Sequence, residues 1–111
     1  ALIQVSAWET FGLPVLEAAA CGTPAILSRH AALPELWQEA AYFIPEDSPV
    51  GIHRAMEALL DPDTRNALAA KAFFRAQQYP WSRCARATAE VMRTAVYRRR
   101  RYGWLGRILR R

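Results

Sequence analysis

Glu9-Thr10-Phe11-Gly12-Leu13-Pro14-Val15-Leu16-Glu17, running on into Ala18-Ala19-Ala20-Cys21-Gly22-Thr23-Pro24, decides how this chain folds. Two carboxylates bracket a Gly-Leu-Pro turn that opens a helix. Pro14 suits the first helical position, where its missing N–H costs nothing, and Gly22 is a natural C-terminal stop. Before the motif, Ala1 to Ser6 is the short apolar run expected of a buried parallel strand. After it, Pro24 to Leu27 makes a second. Glu9 and Glu17 are the only charged side chains between Ala1 and Leu27. An ionised group buried without a partner costs several kcal/mol or neutralises, and the helix around Glu17, made of Val, Leu, Ala and Cys, reads as buried nearly all round. The two carboxylates therefore call for a partner.

Working outward, Leu33 to Trp37 reads as a turn or short helix and Ala41 to Ile44 as a third strand. Asp47 or Ser48 then caps a helix with Pro49 in its first turn, and Ile52, Met56, Leu59 and Leu60 share a face. Asp61-Pro62-Asp63 repeats the start signal for a helix through about Gln77. Tyr79-Pro80-Trp81-Ser82 breaks it and opens another, with Ala85, Ala89, Met92 and Val96 at helical spacing. Strands alternating with helices predict an α/β fold, a partial doubly wound parallel sheet of about three strands with flanking helices. Right-handed crossovers put the loop Ala7 to Leu13 at the carboxyl ends of the strands, where such folds bind ligands.

A chain of 111 residues is enough for one modest domain. It begins on an apolar run with nothing before it to pair with, so we expect a piece of a longer polypeptide. These residues read as carrying no signal peptide and no apolar stretch of about 18 residues to span a membrane, and a cytoplasmic location is expected. Ala1 to Met92 carries seven basic and ten acidic residues, whereas Arg93 to Arg111 carries eight basic and none acidic, giving −3 and +8. The mildly acidic body argues against nucleic acid as a partner. Two cysteines, Cys21 and Cys84, make neither a metal-ligand pattern nor a disulfide framework.

A helical side chain leans toward the helix N-terminus, so Glu17, in the first turn or so, points toward the crevice. There a carboxylate can accept hydrogen bonds from the vicinal hydroxyls of a ribose; complementing the helix dipole is the plain alternative. Free N–H groups around Gly12 to Leu16 form an anion site, and Gly12 lets the backbone approach a ligand closely. Glu9, in the loop before the turn, could bond a sugar hydroxyl or stabilise positive charge at an anomeric carbon. Paired carboxylates also serve glycoside hydrolysis, but there they face each other across the scissile bond. Flanking a phosphate-type helix start, they favour a nucleotide-linked ligand.

Glu9 to Leu27 closely resembles the E-x7-E signature of retaining glycosyltransferases of family 4, the glycosyl transferases group 1. The likeness continues through Ser28, Ala32-Leu33-Pro34-Glu35-Leu36 and Glu39 to Pro45, and Tyr79-Pro80-Trp81-Ser82 to Val96-Tyr97 is similar to the closing helix of the same domain. The resemblance covers about Ala1 to Arg98. It implies part of the C-terminal, nucleotide-sugar-binding domain of a GT-B enzyme transferring a hexose to an acceptor hydroxyl, as in cell envelope polysaccharide biosynthesis. It implies that Glu9, the catalytic candidate, contacts the donor sugar. Thr10, Phe11, Gly12, Leu13 and Pro14 then lie against sugar and phosphate, and Glu17 binds the ribose. Retention in this family is attributed to front-face attack assisted by the donor's own phosphate, with no metal and no cofactor beyond a donor such as a UDP- or GDP-sugar. Ala31 and Ala32 depart from the Gly-Gly of many relatives, which reduces backbone freedom. The family's phosphate-binding Arg and Lys match none of Arg29, Arg54 or Lys71, and with the N-terminal domain they are expected upstream of Ala1. The piece alone should not catalyse transfer.

His30 follows the second strand, where a surface-loop His is the simpler reading than a general base. Trp8 either walls the sugar pocket or packs the strand end. The tail 99–111 interleaves Tyr102, Trp104, Leu105, Ile108 and Leu109 with Arg. It reads either as a basic segment at an anionic inner membrane face, engaged through Arg98 to Arg111, or as a solvated, frayed terminus. This leaves a second functional reading: a non-catalytic membrane-docking or interaction module that retains the fold.

Overall fold

The computed structural model describes residues 1–45 and 48–102. Its centre is β2 (Ala25–Leu27), which lies between β1 (Leu2–Gln4) and β3 (Tyr42–Phe43) and runs parallel to both. Leu2 sits opposite Ala25 and Gln4 opposite Leu27, while Leu27 also faces Phe43. All three β2 residues are buried. Ala25 and Leu27 join Val15, Ala19, Leu33 and Trp37 in one core, and Ile26 joins Ile44, Ala55 and Leu59 in another. That division follows from the alternation of strand side chains between two covered faces. The chain is therefore α/β, with a three-stranded parallel sheet and flanking helices, as the pattern of apolar runs predicts.

The helices are α1 (Leu13–Ala20), α2 (Leu33–Trp37), α3 (Pro49–Ala58), α4 (Pro62–Ala76) and α5 (Trp81–Tyr102), with a 3-10 turn at Gln38–Ala40. Pro14 occupies the second helical position rather than the first. The Ser48 hydroxyl accepts the Gly51 N–H at 3.1 Å, and the Asp61 carboxylate accepts the Thr64 N–H at 2.9 Å. Each bond satisfies a donor that the helix start leaves free. Asp47, the other candidate cap, lies outside the described residues.

Two burial expectations are corrected. The first helix is not buried all round: Val15 and Ala19 face the core, while Leu13, Pro14, Glu17 and Ala20 are exposed. The helix lies on the sheet and α4 through one stripe, and its other flank faces outward. In α3 the inward stripe is Ile52, Ala55 and Leu59, whereas Met56 and Leu60 are exposed. The small Ala55 is fully buried in the cluster with Ile26 and Ile44, while Met56 is left outside it.

The chain divides into two units, Ala1–Gln78 and Tyr79–Arg111. In the second, the carbonyl of Pro80 accepts the N–H groups of Arg83 and Cys84 at the start of α5. Met92 and Val96 of its expected apolar stripe are exposed. Residues 103–111, which carry most of the basic, aromatic tail, lie outside the described residues. Among the described residues no helix is long and apolar enough to cross a membrane. Both cysteines are free and exposed.

Two backbone positions test the reading of this fold. Gly12 has φ 80°, and a Cβ there would meet Leu33 Cδ2 at 3.0 Å and Val15 Cγ2 at 3.3 Å. Ala31 holds φ 52° without being glycine, a left-handed conformation that strains a residue with a Cβ. A left-handed residue with a Cβ costs about 1–2 kcal/mol, so Gly12→Ala should lower stability by at least that in urea denaturation. Ala31→Gly should raise it by about 0.5–1 kcal/mol, the strain relief less the added freedom of the unfolded chain.

Candidate functional site

β1 ends at Gln4, and the chain then crosses the carboxyl edge of the sheet before α1 begins at Leu13. Two bonds tie this crossing to the loop after β2. The hydroxyl of Ser28, fully buried, donates to the carbonyl of Ser6 at 2.8 Å, and the Ala32 N–H donates to the carbonyl of Glu9 at 3.3 Å. The loops following two adjacent parallel strands are thus held together at the end of the sheet where α/β folds place ligands.

Glu9 organises the loop. Its Oε1 accepts the N–H of Thr10 at 2.9 Å and that of Phe11 at 3.4 Å, and its Oε2 accepts from Gln4 Nε2 at 2.8 Å. The backbone N–H groups of Phe11, Gly12 and Thr10, with a smaller contribution from the Gln4 amide, hold its carboxyl below the ordinary value of 4.5. Hydrogen bonds to the charged form favour ionisation, which is the direction seen. Glu9 thus finds its partners in the loop's own backbone and in the neighbouring strand.

The helix start is built differently from the open set of donors expected around Gly12 to Leu16. Val15 and Leu16 both donate to the Gly12 carbonyl, at 3.0 and 3.1 Å. Gly12 is buried with its left-handed φ, Phe11 is half-buried, and Thr10, Leu13 and Pro14 are exposed. Glu17 is the fifth residue of α1, one residue further along than expected, and exposed on the same flank as Leu13, since residues four apart share a helix face. Its carboxylate makes no hydrogen bond or ion pair among the described residues.

Trp8 is 83% exposed, so it does not pack the strand end in this chain. His30 is exposed in the loop after β2. The Arg29 guanidinium lies over the Phe43 ring, 5.3 Å from its centroid, and Lys71 stands 3.9 Å from Glu39. Among the described residues no three or more His, Cys, Asp or Glu converge in a group that could hold a metal. A groove of about 340 Å³, lined in part by Trp37, Lys71, Phe74 and Arg75, contains no residue of the Glu9 loop. The chemistry of the site is therefore read from the loop. Gln4, Ser6 and Ser28 are the parts that sequence reasoning missed. The one legible signal was the lone amide of Gln4 in an otherwise apolar strand.

Residues 1–73 match the family model of glycosyl transferases group 1. The chain is similar to O-antigen chain mannosyltransferase B of Escherichia coli, 33% identical over 87 residues, which cover 78% of this chain and 23% of that protein. It is similar to a D-inositol 3-phosphate glycosyltransferase of Kineococcus radiotolerans, 37% identical over 99 residues (79% and 23%). It is also similar to a GDP-mannose-dependent alpha-(1-6)-phosphatidylinositol dimannoside mannosyltransferase of Mycobacterium tuberculosis, 36% identical over 78 residues (69% and 20%). Among solved structures, sucrose-phosphate synthase from Thermosynechococcus elongatus matches with a TM-score of 0.76 and 28% identity, over 87% of this chain and 26% of that one. The chain thus spans 20–26% of the length of these relatives.

The lowered Glu9 value has a sign that can be checked. The bonds it makes contribute fully above its ordinary 4.5 and are lost as pH falls through the lowered folded value. In carbon-13 NMR of the Glu9 carboxyl the midpoint should lie below 4.5, and the Thr10 and Phe11 amides should lose exchange protection over the same range. A midpoint at the ordinary value would contradict the loop geometry.

Proposed function

Because this chain belongs to the glycosyl transferases group 1 family, with the fold of a part of a GT-B enzyme, we propose that it is the donor-binding part of a retaining glycosyltransferase. In this reading the whole enzyme transfers a sugar from a nucleoside diphosphate sugar to an acceptor hydroxyl, and the first 98 residues belong to its nucleotide-sugar domain. The observation that carries it is the Glu9 loop: an ionised carboxylate and a glycine helix start tied together at the carboxyl edge of a parallel sheet.

Glu9 is read at the donor sugar. Its ionised state, favoured by the Phe11, Gly12 and Thr10 N–H groups, suits a group that accepts from a sugar hydroxyl or faces positive charge developing at the anomeric carbon. Thr10 to Pro14 lie against sugar and phosphate, with Thr10, Leu13 and Pro14 exposed for that contact. Glu17 takes the ribose hydroxyls; its exposed carboxylate, one turn into α1 on the Leu13 flank, is free to accept them. Two of the relatives are named mannosyltransferases, one of them GDP-mannose-dependent, which makes GDP-mannose the first donor to assay beside UDP-sugars. The phosphate clamp, the acceptor site and the N-terminal domain are assigned to the remainder of the enzyme, at the cytoplasmic face of the membrane. The membrane-docking alternative rests on residues 99–111, and deleting them should leave donor binding unchanged while lowering flotation with anionic liposomes.

The test is kinetic, on the full-length enzyme. A hydrogen bond to a charged group contributes about 1.5–3 kcal/mol, so Glu17→Ala should raise the donor KM roughly 10- to 100-fold. Glu9→Ala should act mainly on kcat, by about 100-fold or more. Unchanged kinetics in both variants would sink the reading.

A further inference from the structure

Gln4 is the polar residue of β1 (Leu2-Ile3-Gln4) and stands at its carboxyl end, half-buried. A strand that pairs with a fully buried neighbour would be expected to carry an apolar residue there. The amide instead reaches five residues along the chain and donates from Nε2 to Glu9 Oε2 at 2.8 Å. The other oxygen, Oε1, is taken by the N–H groups of Thr10 and Phe11. The two oxygens are thus held from two different elements, one by the loop and one by the sheet.

This division has a geometric consequence. Bonds to Oε1 alone would pin one oxygen and leave the carboxylate to swing about it through the three side-chain torsions of a glutamate. A second bond from a side chain anchored in the sheet fixes the plane of the group. The strand is itself held by its pairing of Leu2 with Ala25 and Gln4 with Leu27. The loop is held independently through Ser28 Oγ on the Ser6 carbonyl. Glu9 is braced between these two supports.

We propose that Gln4 is the positioning residue for Glu9, setting through its Nε2–H···Oε2 bond the direction in which the carboxylate meets the donor sugar. This deepens the proposed function and rests on its placement of Glu9 at the sugar. Gln4 touches neither substrate nor the reacting atoms; it acts through Glu9. Active groups must be held to within roughly 0.5 Å of their working geometry by neighbours whose own rotamers are fixed. A bond from the sheet to the carboxylate supplies that support where the loop alone does not.

The experiment is a double-mutant cycle on the full-length transferase, with kcat and donor KM measured for Gln4→Met, Glu9→Gln and the pair. Methionine keeps the length and packing of glutamine and removes the donor. Gln4→Met alone should lower kcat about tenfold with the donor KM changed less than about twofold, and in the Glu9→Gln background it should cost less than about twofold in kcat. An equal loss in both backgrounds would overturn the proposal, because Gln4 would then be acting on the strand and not on Glu9. A silent Gln4→Met beside a damaging Glu9→Gln would also overturn it while leaving Glu9 at the sugar. A silent Glu9→Gln would overturn the functional reading itself. Where Gln4→Met lowers the melting temperature, Gln4→Leu in the same cycle separates lost stability from lost positioning, since both remove the donor but pack differently.

Discussion

Burial of β2 on both faces is the constraint from which the ligand end of this molecule follows. Three residues, Ala25, Ile26 and Leu27, have neighbouring strands on either side and a hydrophobic core above and below. Leaving water is worth about 1.5–3 kcal/mol for each large aliphatic side chain, and a shift of register by one residue would send Ile26 and Leu27 to the wrong cores. The register with β1 is fixed accordingly. Fixing it sets where β1 stops, which aligns the crossing loop with the loop after β2 and lets Ser28 reach the Ser6 carbonyl. The position of Glu9 is thus a remote consequence of where three aliphatic residues are buried.

Charge within that loop is handled locally. An acid at the mouth of a helix is commonly explained through the helix dipole, but Glu9 does not rely on one. Backbone N–H groups of the loop and one side-chain amide hold it ionised. Glu17 differs in kind, since it stands exposed on the outer flank of α1. Two glutamates that look equivalent in the motif occupy different environments. One is braced by its surroundings, and the other is open to whatever approaches α1.

The order of elements, the parallel sheet and the run of the Glu9–Glu17 segment from the loop after the first strand into the first helix were all legible in the sequence. Each is written in a strong local signal: the apolar runs, Pro14 after Gly12, Ser48 before Pro49, and Asp61 before Pro62. Less legible were features that depend on three-dimensional neighbours. The exposed flank of α1 could not be seen, because Ala, Val and Leu in a helix look alike whether or not a neighbour covers them. The α3 stripe was misassigned for a related reason: Ala55 carries little hydrophobic signal yet is fully buried in the cluster with Ile26 and Ile44. The Gln4–Glu9 bond was hidden because a strand residue and a loop residue five positions apart meet only once the loop folds back. Ala31 was flagged only as a departure from the Gly-Gly of relatives; its φ of 52° shows what that departure means for the backbone.

The order of the sheet has one more consequence. β1 is an outer strand, paired with β2 on one side and with no other strand on the far side among the described residues, and Ile3 on it is 42% exposed. Such an edge presents unpaired backbone donors and acceptors to any extended chain that meets it. Its short length and the twist of a parallel sheet offer modest protection, and no lysine, proline or bulge guards it within Leu2–Gln4. The open side of β1 is therefore where a further extended strand, of the same polypeptide or another, can add to the sheet.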